Sequence, residues 1–192
     1  MFKIKSRYGD ITIEEYIEKA RAFHGNAAPG LVIGGFMVDL AYRHLPENIL
    51  CDTIVETANC LPDAVQLLTP CTIGNGWLKI FNLGRFALTL YDKQTGDGIR
   101  VYINPDKLED RPEIRNWFFK LVPKKEQDTQ RLIEQIKEAR DSICDHDKVK
   151  VNLSQVSKKH HERLIVCPQC KESYPAADGE ICLGCRGKAL YL

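Results

Sequence analysis

"RFALTLYDKQTGDGIRVYIN", residues 85–104, decides the fold. Two runs rich in β-branched and aromatic residues flank "KQTGDG", whose glycines and aspartate are turn formers, so the stretch reads as a β-hairpin. Just upstream, "WLKIFN" (77–82) is another strand, joined through a short "LG" turn. Further back, residues 49–57 alternate, with Ile49, Cys51, Thr53 and Val55 on one side and Leu50, Asp52, Ile54 and Glu56 on the other. Closely spaced strands joined by tight turns predict an antiparallel sheet.

Helical signals surround this sheet. In "DITIEEYIEKARAFHG" (10–25), Thr12 and Glu15 have the spacing of a capping box, and Ile13, Tyr16, Ile17, Ala20 and His24 recur at helical intervals. A helix over 13–23 follows, stopped by Gly25. Pro29 suits the first turn of a second helix, over 31–45. That helix is apolar on most sides and is expected at the centre of the core, with Gly34 and Gly35 packed closely against neighbours. In "NCLPDAVQLLTPC" (59–71), Pro62 and Asp63 fit a helical first turn and Pro70 closes the helix. "PEIRNWFFKL" (112–121) is a short helix, and 125–143 is a longer one with Leu132, Ile136, Ala139 and Ile143 on one stripe. The class is α+β, with helices packed on one face of the sheet. Residues 1–145 form the core domain. The polar stretch 146–163 reads as a linker, apart from a short strand at 149–153.

The composition narrows the function. Twenty-seven basic and 26 acidic residues leave a net charge of +1, which gives no electrostatic reason to expect nucleic acid or an anionic membrane as partner. The basic run Lys158, Lys159, His160, His161 and Arg163 reads as a solvated face. The first residues lack the apolar segment of an export signal, and "LVIGGFMV" (31–38) is too short to span a bilayer. The expected location is the cytoplasm.

Four of the eight cysteines form two Cys-x-x-Cys pairs, Cys167 with Cys170 and Cys182 with Cys185, separated by eleven residues. Each pair turns two thiolates toward one ion. Four thiolates make a closed tetrahedral site of the structural zinc type, with no position left for substrate. Residues 164–192 are too few to build a core unaided, so the metal supplies most of their folding free energy.

A second set of candidates lies in the core: His24, Asn26, Cys60, Asp63, Gln66, Cys71 and Thr72. Cys60 stands at a helix N-terminus, where the macrodipole favours a thiolate and lowers its pKa. Asp63 and Gln66 follow at intervals of three and share its helical face. The glycine-rich "TPCTIGNGW" (69–77) offers backbone amides to an anion. His24, Cys60 and Asp63 are the candidates for catalysis or for holding a second metal. A helix over 61–68 is about 12 Å long, so Cys60 and Cys71 share one ion only if the loop folds back sharply. Each candidate also has a plain structural reading, as packing cysteine, dipole-compensating aspartate or turn residue, and the local sequence leaves both open.

"FHGNAAPGLVIGG" (23–35), "CLPDAVQLLTPCTIGNGWLKI" (60–80) and "GRFALTLYD" (84–92), together with the two Cys-x-x-Cys pairs, resemble the FmdE family, named for formylmethanofuran dehydrogenase. The resemblance implies an α+β core, a C-terminal treble-clef zinc finger, and a homodimer. It also implies a metal-binding accessory role linked to molybdenum or tungsten formylmethanofuran dehydrogenase, with no defined activity. The family pattern around His24 reads Phe-His-Gly-His-x-Cys-Pro-Gly. This chain has Asn26 where the second histidine is usual and Ala28 where the cysteine is usual. The second motif is intact through Cys60, Asp63, Ala64, Gln66, Cys71, Thr72, Gly74 and Gly76. The expected protein is therefore a binding or accessory protein with a zinc finger and a cleft for a metal or small ligand. The alternatives are a thiol- or metal-dependent enzyme using Cys60 and His24, and a finger-mediated protein or nucleic-acid contact.

Overall fold

A computed structural model describes residues 2–7, 9–47, 49–156 and 163–191. Its contacts divide the chain into two compact units, residues 1–156 and 157–192.

The first unit opens with a two-stranded hairpin, β1 (Lys3–Ile4) and β2 (Ile11–Thr12). Helix α1 (Ile13–His24) starts on the expected capping box: Thr12 Oγ1 accepts from the Glu15 amide and the Thr12 amide donates to Glu15. It stops at Gly25, whose φ of 87° needs no Cβ. Helix α2 (Pro29–His44) begins with Pro29 in its first turn and is buried from Gly30 to Ala41. Both of its glycines face close neighbours. A Cβ on Gly34 would lie 2.7 Å from the Ala64 Cβ, and one on Gly35 would strike the Tyr16 ring.

The main sheet has five strands in the order β4-β3-β5-β6-β7. They are β3 (Cys51–Val55), β4 (Leu78–Ile80), β5 (Ala87–Asp92), β6 (Asp97–Ile103) and β7 (Cys144–Lys150). β5 and β6 form the antiparallel hairpin on either side of "KQTGDG". β4 departs from the all-antiparallel expectation. It runs parallel to β3, with Thr53 opposite Leu78, because helix α3 (Leu61–Leu68) intervenes and carries the chain back to the same end. β4 and β5 are consecutive in sequence but not adjacent in the sheet.

A second departure concerns the linker. Residues 144–150, largely charged, are the edge strand β7, paired with β6 along seven residues. The first unit then continues through the short helix α6 (Leu153–Val156). So the stretch 146–150 belongs to the core sheet, and the strand lies upstream of 149–153. The rest of the basic run, residues 158–161, lies outside the described residues. The long helix over 125–143 is also shorter than expected. α5 (Thr129–Ala139) begins where Asp128 caps the Arg131 amide, and single 3-10 turns flank it. Ahead of it stands α4 (Pro112–Phe118).

Leu88, Leu90, Ile99, Val101 and Ile103 point from β5 and β6 into the core that α2 fills. The opposite face of the sheet is charged. There Lys79 meets Asp52 at 2.6 Å, and Arg100 and Arg85 hold the buried Glu56.

The second unit is a hairpin, β8 (Leu164–Val166) with β9 (Ser173–Pro175), followed by a helical turn over Gly184–Lys188. Among the described residues, no helix is long and apolar enough to cross a membrane.

Candidate functional site

In the second unit, Cys167 and Cys170 stand on the turn after β8, and Cys182 and Cys185 stand at the start of the terminal helical turn. Their four Sγ atoms all lie within 4.8 Å of one another. The Cys185 amide donates to the Cys182 sulfur at 3.3 Å. As thiols, the four divide their protons unequally. Amide hydrogen bonds, from Cys182 first and then Cys170, draw Cys167 down to about 6, while Cys182 pushes Cys185 up to about 12. Soft donors, a count of four and this spacing fit a tetrahedral zinc ion with every position taken by protein. Its chemistry is structural: it crosslinks the turn of the hairpin to the terminal helix.

In the first unit the structure gathers part of the expected constellation. His24, in the last turn of α1, places Nδ1 2.6 Å from Asp63 Oδ2 in the first turn of α3. Both side chains remain about one-third open to solvent, at 27% and 30%. Gln66, one turn on, reaches the other Asp63 oxygen at 3.5 Å. Cys60 caps the same helix with φ 56° and ψ −51°, a conformation that costs a residue with a Cβ of order 1–3 kcal/mol. Its Sγ packs beside Gly30, where any side chain would crowd it.

Three expectations fail on geometry. First, Cys60 is not an activated thiolate. Burial and the neighbouring Asp63 carboxylate raise its pKa and outweigh the amide hydrogen bond from Leu31. Second, Cys71 is not in the cleft. It is buried against β3, where its Sγ lies 3.2 Å from the Cys51 carbonyl oxygen. The adjacent Cys51 thiol, aided by the hydroxyls of Thr53 and Thr69, draws Cys71 down to about 7 against the cost of burial. Third, "TIGNG" is not an anion cradle. The amides of Thr72 and Trp77 donate to Asn75 Oδ1, the Asn75 amide donates to Thr72 Oγ1, and the Ile73 amide donates to Gln66. Thr72 therefore shapes a turn. Asn26 stands on the α1–α2 joint and lines a separate cavity beyond it.

One participant escaped the sequence reading. Tyr16 is fully buried beneath the site, and its hydroxyl donates to the Leu31 carbonyl at 2.7 Å. Burial, then Cys60 and Asp63, drive its pKa far above the ordinary value. Its position at helical spacing from His24 marked it only as core.

The molecule is thus a two-unit α+β protein that joins a helix-centred core with a histidine–aspartate cleft to a four-thiolate finger. The family model described as "FmdE, Molybdenum formylmethanofuran dehydrogenase operon" matches residues 23–152, and that of the "FmdE treble clef zinc finger" matches residues 158–192. The chain belongs to the FmdE family. A crystal structure at 1.90 Å of an FmdE-like protein of tungsten formylmethanofuran dehydrogenase, from Syntrophus aciditrophicus, is 51% identical. It matches with a TM-score of 0.90 over 100% of both chains. A "Probable S-adenosyl-L-methionine-binding protein" of Archaeoglobus fulgidus is 31% identical over 192 residues, 88% of this chain and 52% of that one. The chain spans about half the length of that relative.

Proposed function

We propose that this protein is a zinc-stabilised accessory protein of the cytoplasm, a homodimer, whose core cleft binds a small organic ligand against His24 and Asp63. The observation that carries this reading is the 2.6 Å contact between His24 Nδ1 and Asp63 Oδ2 at a partly open surface. With Nδ1–H donated to the carboxylate, Nε2 keeps its lone pair and is free to accept a hydrogen bond or a proton from a ligand. A second metal is the weaker reading. Among the described residues, the four finger cysteines alone bring three or more metal donors together. Asn26 and Ala28 supply neither an imidazole nor a thiolate. A nucleophilic role for Cys60 is disfavoured by the burial that keeps its proton on.

The names of the relatives suggest where to look. The Archaeoglobus protein makes S-adenosyl-L-methionine the first ligand to try, and the family description points toward molybdenum or tungsten formylmethanofuran metabolism. In the finger, exposed Leu164 and Val166 share one face of β8 and support a protein contact there.

Metal analysis and calorimetry on the full chain test the proposal. One zinc per chain is expected, lost in the double variant Cys167→Ser/Cys170→Ser. S-adenosyl-L-methionine should bind, and His24→Ala and Asp63→Asn should each weaken it about ten-fold or more. A second metal equivalent that survives loss of the finger cysteines but disappears in His24→Ala would overturn the organic-ligand reading. Sedimentation velocity checks the dimer against the 21.9 kDa chain mass.

A further inference from the structure

The largest cavity of the first unit lies on the far side of the α1–α2 joint. It holds about 1030 Å³, enough for a cofactor-sized molecule. Of the cleft candidates only Asn26 reaches it, so it stands apart from His24 and Asp63. Its walls come from α1, from the joint at Asn26 to Pro29, and from α4, α5 and the segment between them.

Two features of the lining select a ligand. Ile17, Ala28, Pro29, Trp117 and Ile133 make an apolar floor, with an indole to receive a flat ring. Around it stand four cations and a single acid, Glu134, whose Oε1 accepts from Gln130. Arg21 and Lys137 are already committed to Glu18 and Glu14. Lys120 and Lys124 have no carboxylate partner among the described residues. Lys120 also occupies a left-handed backbone position, φ 55°, just past the end of α4. Glycine adopts that conformation without strain, and a lysine there is strained. The strained residue is one that brings an unpaired ammonium to the rim of an apolar cavity.

We infer that this cavity binds a small organic anion: a flat apolar body seated on Trp117 and Ile133, with its carboxylate, sulfonate or phosphate held by Lys120 and Lys124. The two lysines are the specificity determinants. They favour an anion over a neutral molecule of the same shape, and their grip weakens with salt. This is a site separate from the histidine–aspartate cleft and does not depend on what that cleft binds.

The test uses the full zinc-loaded chain and two dyes of matched shape. These are 8-anilino-1-naphthalenesulfonate, an anion, and N-phenyl-1-naphthylamine, its neutral counterpart. Fluorescence titration should give saturable binding of the sulfonate at one per chain, with energy transfer from tryptophan. The double variant Lys120→Gln/Lys124→Gln should weaken the sulfonate roughly ten-fold, leave the neutral dye within two-fold, and retain the parent melting temperature, since both side chains are exposed. The variant Ile133→Asp should weaken both dyes. Equal sulfonate affinity in parent and double variant would show a merely apolar surface and overturn the inference. Absence of saturable binding would overturn it too, as expected if a second copy or a partner chain fills the cavity. If the histidine–aspartate reading fails while the lysine effect persists, the two proposals are separated.

Discussion

Replacing Gly35 with alanine sets two effects of opposite sign against each other. Alanine gains about 1 kcal/mol of intrinsic helix stability over glycine in a helix interior. Against this, the new methyl would lie 2.8 Å from Tyr16 Cζ and 2.9 Å from its Cδ1, well inside van der Waals contact. The ring has nowhere to go. Tyr16 is 0% exposed, and its hydroxyl is tied to the Leu31 carbonyl at 2.7 Å. Overpacking in a well-filled core costs about 1–3 kcal/mol. Moving the ring also sacrifices a buried hydrogen bond worth about 1 kcal/mol. The net is a destabilisation of about 1–3 kcal/mol. For a chain of this size each kcal/mol moves the midpoint by about 2–4 °C, so thermal unfolding followed by circular dichroism should show a fall of roughly 3–10 °C. Tyr16→Leu removes the ring. In that background Gly35→Ala should cost less, with a coupling above about 1 kcal/mol. A Gly35→Ala protein that melts at or above the parent temperature would refute the argument that close approach, not helical flexibility, explains this glycine.

Three further outcomes follow from the site geometry. Removing zinc with a chelator should release one equivalent and strip hydrogen-exchange protection from peptides within 163–191, leaving peptides of the five-stranded sheet protected. At pH 7.5, Cys60 should react with iodoacetamide more slowly than free cysteine, and Asp63→Asn should speed it, because burial and then the Asp63 charge hold the thiol protonated; peptide-resolved mass spectrometry reads both. Glu56 gives the acid limb of stability. Burial alone would raise its pKa, but Arg100 and then Arg85 overcome this and hold it below its ordinary 4.5. A depressed carboxylate contributes fully above its unfolded value, and that contribution is lost as pH falls through the folded one. Urea midpoints of the parent should therefore drop below about pH 4.5 more steeply than those of Glu56→Gln.

How far the sequence could be read depended on where each signal resides. The first three helices carry their start and stop signals within a few residues: Thr12 with Glu15, Gly25 before Pro29, and Pro62 with Thr69 before Pro70. Such caps act locally, so the chain shows them without its fold. The finger is legible for the same reason, since two Cys-x-x-Cys turns fix most of its donor geometry. β7 is the opposite case. "CDHDKVK" holds one residue of the core face that is apolar, Cys144, while His146 stacks on His44 of α2 at 3.8 Å. What makes it a strand is a row of backbone hydrogen bonds to β6, more than forty residues away, and no periodicity records those. The parallel β3–β4 pair is hidden for a related cause, because strand direction depends on the space α3 occupies.

The cleft shows the same division in its chemistry. Helical spacing correctly placed Asp63 and Gln66 on one face, and His24 at a helix end near it. The sign of the Cys60 shift was not legible. A dipole rule for a helix N-terminus presumes an exposed cap in ordinary backbone, whereas this one is folded under Gly30 and sits beside the Asp63 carboxylate. Cys71 carries the thiol with the lowered pKa in the core, and it owes that to Cys51, twenty residues away and on another element. Desolvation and charge at a site are set by what packs around it. The residues able to do chemistry can therefore be named from sequence, while the protonation they hold follows only from the fold.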